Sequence, residues 1–277
     1  MDTTWIRELR RLHEANYHCD WTSHLRDLNR RYDLGGRDEL AIPDEGLPPS
    51  WFVGDVEALD PGRWVLVVSL NQANWAKKDQ AWRRQERDSI RGDWDFWRLL
   101  NQKTWYGTFY SPMVRVGAVA LGEEVPGERE QQQEFATTRM VFVESCPYSS
   151  PQFARGGEIL ARLVAEQDRG LKVLDRVRHL LIEEAHPALV LINGNPALDR
   201  LQALEGERLH LEEHRRYESI SKPGKRLRHY EGRLDSRGGS VPVLAFPFVP
   251  GRKTHQSHRE QEQLGAYGRA LVGEALQ

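Results

Sequence analysis

The sequence predicts an α/β protein, a three-layer α/β/α sandwich with a mainly parallel four-stranded sheet and an N-terminal helical extension. Four short apolar runs have the continuous, β-branched character of strands that are buried on both faces. Helical patterns alternate with these runs, as expected when parallel strands are joined by crossover connections. Each run ends abruptly in polar or aromatic residues, at the position where open α/β sheets bind ligands.

The predicted elements follow in order along the chain. Apolar residues at helical spacing among many arginines, between residues 5 and 34, predict two amphipathic helices. Paired glycines and prolines then mark a loop at residues 33–50. The predicted strands are residues 65–68, 139–144, 188–192 and 241–246, and the later helices are residues 79–101, 157–167, 171–185 and a last helix ending near residue 273. We assign residues 1–47 to the extension and residues 48–277 to the α/β domain, together forming one structural unit.

The composition restricts the partners and the setting. The 39 Lys and Arg residues against 41 Asp and Glu residues give a net charge of -2, so any basic surface for nucleic acid has to be local. Cys19 and Cys146 form no CxxC motif and no hydrophobic segment opens the chain, which predicts a reducing, cytoplasmic setting. No apolar run approaches the roughly 20 residues of a membrane span, and we expect a monomer without a membrane partner.

Polar clusters follow all four predicted strands. They are Asn71-Gln72 with Trp75 nearby, Tyr148-Ser149-Ser150, Asn193 with Asn195, and residues 252–258. Because the carboxyl ends of parallel strands share one edge of a sheet, we expect these clusters to converge on a single cleft. Amides at such a cleft read hydrogen-bond patterns without imposing a charge, which suits a nucleobase or an attacking water.

The sequence also lacks several motifs that carry other chemistry. It contains no Walker loop, GxGxxG, GxSxG, HExxH or paired CxxC motif. His255 and His258 lie three residues apart without an accompanying carboxylate or thiolate, so we expect neither a metal nor a cofactor. Simpler interpretations stay open: Asn71 caps a helix, the two histidines belong to a solvated helix start, and Tyr148 packs beneath the turn at Pro147 instead of stacking on a base.

These motifs resemble those of a known family. The first strand ends in SLNQ, the second is followed by ESCPY, the third is LVLIN, and the fourth leads into FPFVPGRKTHQSH. In order and placement they resemble the motifs of the uracil-DNA glycosylase superfamily, whose first strand ends in GxNP or GxDP and whose last strand leads into an HPS-type motif. The resemblance covers residue 48 to the C-terminus. It implies a four-stranded α/β/α fold that flips a base into a pocket and hydrolyses its N-glycosidic bond with water and without a metal.

The resemblance further implies roles for individual residues. Asn71 matches the family residue that positions the water. Phe246-Pro247-Phe248 stands where His-Pro-Ser is usual, so the catalytic histidine is either supplied later, by His255 or His258, or is absent. The residues expected to line the base pocket are Gln72, Trp75, Tyr148, Asn193, Asn195, Phe246 and Phe248. Aromatic walls supply stacking and no hydrogen bonds, so the expected substrate is a modified or bulkier base than uracil.

Two segments have the composition of a DNA contact. In the first, residues 251–259, Arg252, Lys253 and His258 are candidate phosphate ligands, and Ser257 is placed to cap the last helix, whose amino end attracts phosphate. The second, residues 208–237, contains nine Lys and Arg residues with interleaved tyrosines. We expect it to form a hairpin insertion that grips the nucleic-acid backbone, or else to be ordinary exposed surface. Its candidate contacts are Lys225, Arg226 and Arg228.

Together these features predict a monofunctional, metal-independent DNA glycosylase that acts on a modified base, in repair or in defence against foreign DNA. No Lys stands in a motif position to form a Schiff base, so β-lyase activity is not expected. One alternative is a catalytically silent nucleic-acid-binding module on the same fold, which the missing His-Pro-Ser motif allows. Another is a small-molecule nucleoside or nucleotide hydrolase, against which the basic segment argues, since a small substrate needs no long phosphate track.

Overall fold

The computed structural model describes residues 4–17, 19–41, 51–70, 107–151, 153–219, 223–224, 226–247 and 257–275. The chain divides into two compact units. Unit 1 comprises Met1–Phe52, Leu70–Trp97 and Glu144–Leu180, and unit 2 comprises Val53–Ser69, Arg98–Val143 and Leu181–Gln277. The N-terminal residues thus group with residues 144–180, so this division does not follow the boundary expected after residue 47.

Helices and strands alternate along much of the described chain, as the sequence predicts. The helices are α1 (Thr4–Tyr17), α2 (Trp21–Arg31), α3 (Gly107–Leu121), α4 (Arg129–Arg139), α5 (Gly156–Ala165), α6 (Arg169–Glu183), α7 (Asn195–Glu205) and α8 (His258–Ala275). The strands are β1 (Val65–Ser69), β2 (Met140–Glu144), β3 (Leu189–Asn193), β4 (Leu209–Glu218), β5 (Arg226–Ser236) and β6 (Gly239–Phe246). The helix predicted at residues 79–101 lies outside the described residues. Within the described ranges, no helix has the length and hydropathy needed to cross a bilayer.

Unit 2 is built on a six-stranded mixed sheet with the strand order β2-β1-β3-β6-β5-β4. β1, β3 and β6 run parallel to one another, whereas β6, β5 and β4 are successively antiparallel. The prediction of a mixed α/β fold with a mostly parallel sheet is therefore confirmed. The predicted number of four strands is wrong, because residues 208–237 supply two further strands to the sheet. The hairpin expected for that segment is present, but it extends the sheet.

The charge of the hairpin explains why its strands escape prediction. Leu227, His229 and Leu234 of β5 are buried, while Arg228 between them is exposed. Leu234 lies opposite Leu209 of β4, which is also buried. These anchoring residues are isolated among charged neighbours and never form a continuous apolar run. A search for continuous apolar runs therefore misses both strands.

The parallel strands form because their side chains are apolar on both faces. Every residue of β1 is buried, and on one face Val65 and Val67 join a core that residues of α3, α4 and α8 complete. Each fully buried Val or Leu contributes about 1.5–3 kcal/mol relative to an exposed one. Gly265 allows α8 to approach α3 closely, since a Cβ there would lie 2.5 Å from the Cβ of Val119.

Helix α2 of unit 1 shows the amphipathic pattern that the sequence predicts. It buries Trp21, Leu25 and Leu28 on one side. Its first turn is capped by Asp20, whose side chain accepts a hydrogen bond from the Ser23 N–H at 2.9 Å. The helix therefore has both a fixed start and a fixed face, which determines where its polar residues point.

Gly232 of β5 provides a test of the hairpin. A Cβ at this position would lie 1.9 Å from the backbone oxygen of His210 on β4, so the two strands would have to separate. We expect Gly232→Ala to lower the free energy of unfolding by about 2 kcal/mol or more, measured by urea denaturation. Gly127→Ala is the control, because nothing lies within 4 Å of a Cβ there. Equal stability of the two variants would contradict the pairing of β4 with β5.

Candidate active site

The carboxyl ends of three parallel strands lie side by side in unit 2. The register aligns Val68 of β1 with Ile192 of β3, and Ile192 with Ala245 of β6. Just beyond these residues, the Gly194 N–H donates a hydrogen bond to the Phe246 carbonyl at 2.9 Å. The carboxyl ends of β3 and β6 are therefore adjacent, as expected for parallel strands, while residues 252–256 of the last polar cluster lie outside the described residues.

The predicted pocket residues on these strands occupy different environments. Asn193 ends β3 and is fully buried, whereas Asn195 is the exposed first residue of α7. Phe246 belongs to the core, where it packs with residues such as Leu191 and Leu244 beneath α3 and α8. The Phe246 ring thus packs in the core, and its expected place in the wall of a base pocket stays a prediction.

The start of α8 carries a capping box. Ser257 Oγ accepts the Glu260 N–H at 3.2 Å and lies 3.2 Å from Glu260 Oε2, to which it donates. Ser219 Oγ donates to the other carboxyl oxygen of Glu260 at 2.8 Å. The predicted cap is therefore confirmed. The acidic side chain already held at this helix start disfavours a phosphate beside Ser257, and the expected DNA contact of Ser257 stays a prediction. His258 is the exposed first residue of α8.

The hairpin presents exposed cations together with acidic residues. Arg228 is exposed on β5, and the backbone register places Arg226 opposite Glu218 of β4. Further along β5, the exposed Arg233 lies 3.9 Å from Asp235. Where its side chains are described, the surface of β5 thus carries both signs of charge, with Arg228, Arg233 and Asp235 exposed.

In unit 1, the loop that follows β2 is attached to its neighbours along its length. The carbonyl of Leu70, directly after β1 in the chain, accepts the N–H groups of Ser145 and Cys146 at 3.0 and 2.8 Å. Four residues further on, Ser149 and Ala41 exchange both backbone hydrogen bonds, at 3.0 and 2.9 Å. We call residues 145–150 the β2 loop. Its attachment on both sides gives it a defined path.

Three buried polar atoms at the β2 loop have no hydrogen-bond partner among the described residues. They are Glu144 Oε2, Ser145 Oγ and Ser150 Oγ. Buried polar groups are nearly always paired, because an unpaired one loses its hydration without compensation. Three such atoms within seven consecutive residues therefore mark a place where a ligand can supply the missing partners.

Glu144 is the chemically most informative of these residues. It ends β2, and burial raises the pKa of its carboxyl group from the ordinary value of 4.5 to about 8. At neutral pH the group is therefore a protonated acid that is able to donate. Cys146 is unsuited to nucleophilic attack, because burial raises the pKa of its thiol, and the charges of Asp168 and of ionised Glu144 act in the same direction.

Tyr148 of the β2 loop is held in a buried network. Its hydroxyl donates to Asp168 Oδ1 at 2.8 Å, and His24 Nε2 lies 2.8 Å from Asp168 Oδ2 and 3.1 Å from the Tyr148 hydroxyl. Burial opposes the charge of Asp168, but hydrogen bonds from His24, the Leu171 N–H and Tyr148 outweigh it and lower the pKa of the carboxyl group. Burial and the Asp168 charge raise the pKa of Tyr148. Of the two alternatives for Tyr148, the structure shows packing, with the ring unavailable for stacking on a base.

The sequence alone does not reveal Glu144, His24 or Asp168 as site residues. Glu144 offers a signal, since it is a charged residue at the end of the otherwise apolar strand MVFVE. His24 and Asp168 offer none, because 144 residues separate them.

The sequence-predicted residues that lie outside the described ones are Asn71, Gln72, Trp75, Lys225, Phe248, Arg252, Lys253 and His255. Among the described residues, no group of three His, Cys, Asp or Glu side chains is arranged to hold a metal ion.

Replacing Glu144 by Gln tests its protonation state. The folded protein keeps a proton on Glu144 up to a pH of about 8, whereas the unfolded chain releases it near its ordinary pKa. The resulting stabilisation of the fold is complete below the unfolded pKa and is lost as the pH rises through about 8. Relative to wild type, Glu144→Gln should therefore gain stability with rising pH, by on the order of a few kcal/mol in total. Thermal unfolding of both proteins over this pH range measures it, and a pH-independent difference would show that Glu144 is ionised in the fold.

Neither a scan of the chain against protein-family models nor a search of the curated proteins finds a match. The resemblance of the strand-end motifs to the uracil-DNA glycosylase superfamily therefore stays a prediction. Roles for the residues accordingly rest on their own chemistry and geometry.

Proposed function

We propose that the protein is a monofunctional, metal-independent DNA glycosylase that hydrolyses the N-glycosidic bond of a flipped, modified base. It acts as a cytoplasmic monomer, in repair or in defence against foreign DNA. The observation that carries the proposal is Glu144, at the end of β2: its buried Oε2 has no hydrogen-bond partner among the described residues, and burial raises the pKa of its carboxyl group to about 8. The buried residues Ser145 and Ser150 follow it in the chain.

The reaction needs what this arrangement offers. When the bond between the sugar C1′ and the base nitrogen breaks, the sugar becomes cationic and the base carries away the electron pair. A neutral Glu144 donates its proton to the departing base, and the water oxygen bonds to C1′. The proton that the water loses restores the carboxyl group. Free base and an abasic sugar are the products, and atoms and charge balance without a cofactor.

Asn71 supplies the water in this scheme. It follows Leu70 directly in the chain, and the Leu70 carbonyl is bonded to the N–H groups of the two residues that follow Glu144. An amide side chain accepts and donates hydrogen bonds, so it orients a water without taking its proton. In this scheme the Asn71 amide orients the water and the Glu144 carboxylic acid protonates the base.

The hairpin supplies contacts to the phosphate backbone. The net charge of -2 provides no long-range attraction to DNA, so binding has to come from local cations such as Arg228, which is exposed on β5. Arg and phosphate form bidentate contacts that do not depend on base sequence. In this scheme these contacts position the duplex and do not select the base.

An assay with several modified bases tests the function directly. Duplexes carrying uracil, thymine mismatches, oxidised bases or hypermodified cytosines are incubated with the protein and then treated with alkali to cleave at abasic sites. We expect a modified or bulkier base to be released and uracil to be a poor substrate. Release of uracil above all others would overturn the substrate assignment. Binding of DNA without release of any base would favour the silent binding module, and release only from free nucleosides would favour the small-molecule hydrolase.

Two variants test the division of labour between the amide and the acid. Asn71→Ala should abolish base release and leave DNA affinity nearly unchanged, because the residue is assigned to the water. Glu144→Gln should slow release by about 100-fold or more and remove the decline of the rate as the pH rises through about 8. Gln202→Ala, at an exposed amide on α7 that has no assigned role, is the control. Wild-type turnover by either variant would remove that residue from the mechanism.

The basic hairpin makes a separate prediction. Changing Arg226 and Arg228 together to Ala should weaken binding to all DNA sequences alike and flatten the dependence of log affinity on log salt by up to about two units. Arg10 and Arg11, exposed on α1, are changed together as the control. An unchanged salt slope in the hairpin variant would show that these arginines are ordinary surface.

A further inference from the structure

We infer that helix α2 positions the β2 loop through His24 and Asn29, and that this attachment keeps water away from the Glu144 carboxyl group. The N-terminal helices are then part of the catalytic architecture and not an appendage to it. The inference deepens the proposed function, on which its consequence for base release rests. Its structural part stands on contacts within unit 1.

The first attachment is the hydrogen-bonded network at His24. His24 Nε2 contacts both Asp168 Oδ2 and the Tyr148 hydroxyl, and Tyr148 donates to the second oxygen of Asp168. The Asp168 carboxylate also accepts the Leu171 N–H at 2.8 Å, which fixes it at the start of α6. The space around the hydroxyl is fully used, because a Cβ on Gly170 would lie 2.3 Å from it.

The second attachment runs through Asn29. Its side chain donates to the Leu40 carbonyl at 2.7 Å and accepts the Leu40 N–H at 2.8 Å. The next residue, Ala41, exchanges backbone hydrogen bonds with Ser149, and its carbonyl also accepts the Ser149 hydroxyl at 3.0 Å. α2 thus fixes the β2 loop at two neighbouring residues. His24 contacts Tyr148 directly, and Asn29 acts on Ser149 through Leu40 and Ala41.

Between these attachments and Glu144 the loop is closed to solvent. Ser145, Cys146, Tyr148, Ser149 and Ser150 are each at most 2% exposed. A chain segment held at one end by the Leu70 carbonyl and at the other by α2 has little freedom to open. We expect loss of the α2 contacts to free the distal half of the loop and to admit water to the carboxyl group of Glu144, which directly precedes the loop.

The charged and titratable groups around the loop restrict the interpretation of a titration. Asp168, His24 and Tyr148 form one hydrogen-bonded network at the loop. The charges of Asp168 and Glu144 both raise the pKa of the Cys146 thiol. Burial is the cause of the raised pKa of Glu144. A change in that pKa on removing a neutral hydroxyl or an amide therefore reports entry of water. His24 and Asn29 are positioning residues, since they do not contact the reacting groups.

The experiment is an NMR titration of Glu144 in the full chain, labelled with 13C at the glutamate carboxyl groups and assigned by Glu144→Gln. We expect His24→Gln, Tyr148→Phe and Asn29→Ala each to lower the pKa of Glu144 by about one unit or more, toward its ordinary value. His210→Gln is the matched control, because His210 Nε2 also lies near an aspartate, at 3.1 Å from Asp235 Oδ2, on the hairpin of unit 2. Folded variants with a wild-type Glu144 titration would overturn the inference.

A second measurement follows opening of the loop without any titration. In a Cys19→Ser background, alkylation of the buried Cys146 should be at least about tenfold faster in Tyr148→Phe and Asn29→Ala than in the parent protein. These variants remove one hydroxyl or one amide and so keep the test available if His24→Gln does not fold. Unchanged alkylation rates would also contradict the inference.

Base release separates this inference from the proposed function. If the protein is a glycosylase, the decline of the rate at high pH should move to lower pH in the α2 variants by the same amount as the Glu144 titration. If the wild type releases no base, the proposed function fails, while the titration and the alkylation still decide whether α2 controls the burial of Glu144. A titration shift without a matching shift of the rate profile would show that Glu144 is not the proton donor.

Discussion

The structure of unit 1 depends on the buried carboxylate of Asp168. A charge removed from water is stable only when hydrogen bonds replace its hydration, and Asp168 obtains them from three separate parts of the chain: His24 of α2, Tyr148 of the β2 loop and the Leu171 N–H of α6. Each donor is thereby fixed relative to the other two. Glu144 shows the opposite solution to the same problem, because its Oε2 has no donor among the described residues and the group keeps its proton. When ionised, both acids raise the pKa of the Cys146 thiol. In the fold at neutral pH, however, Asp168 is a structural anion and Glu144 is a neutral acid.

The predictability of the fold follows from how each element is stabilised. β1 and β3 are held by side chains that are apolar at consecutive positions, and such runs are visible in a sequence. In β4 and β5, Leu209, Leu227 and Leu234 are among the buried residues for which burial is described, and their neighbours in the chain are charged or polar. The charged residues therefore hide the apolar pattern of these strands. For the same reason the sequence predicts an insertion at residues 208–237, although these residues complete the sheet.

The candidate site was predictable only where it coincides with a strand end. Tyr148 was found because it follows an apolar strand, but its role was not, since the partners of its hydroxyl come from residues 24 and 168. No local pattern encodes a contact between residues so far apart. Glu144 is the last residue of the strand predicted at residues 139–144, and the burial of its carboxyl group is a tertiary property that a sequence does not display. Phe246 shows the reverse case, in which a residue at a motif position belongs to the core.

The attachment of the β2 loop to α2 has a consequence for biosynthesis. Unit 1 is assembled from three stretches of chain, the last of which ends at Leu180. The helix carrying His24 leaves the ribosome more than a hundred residues before Tyr148 and Asp168, so its polar contacts have no partners during that interval. Contacts of such long range form late and slowly. The nascent N-terminal helices therefore have to remain soluble by themselves, which the many exposed arginines of α1 and α2 accomplish.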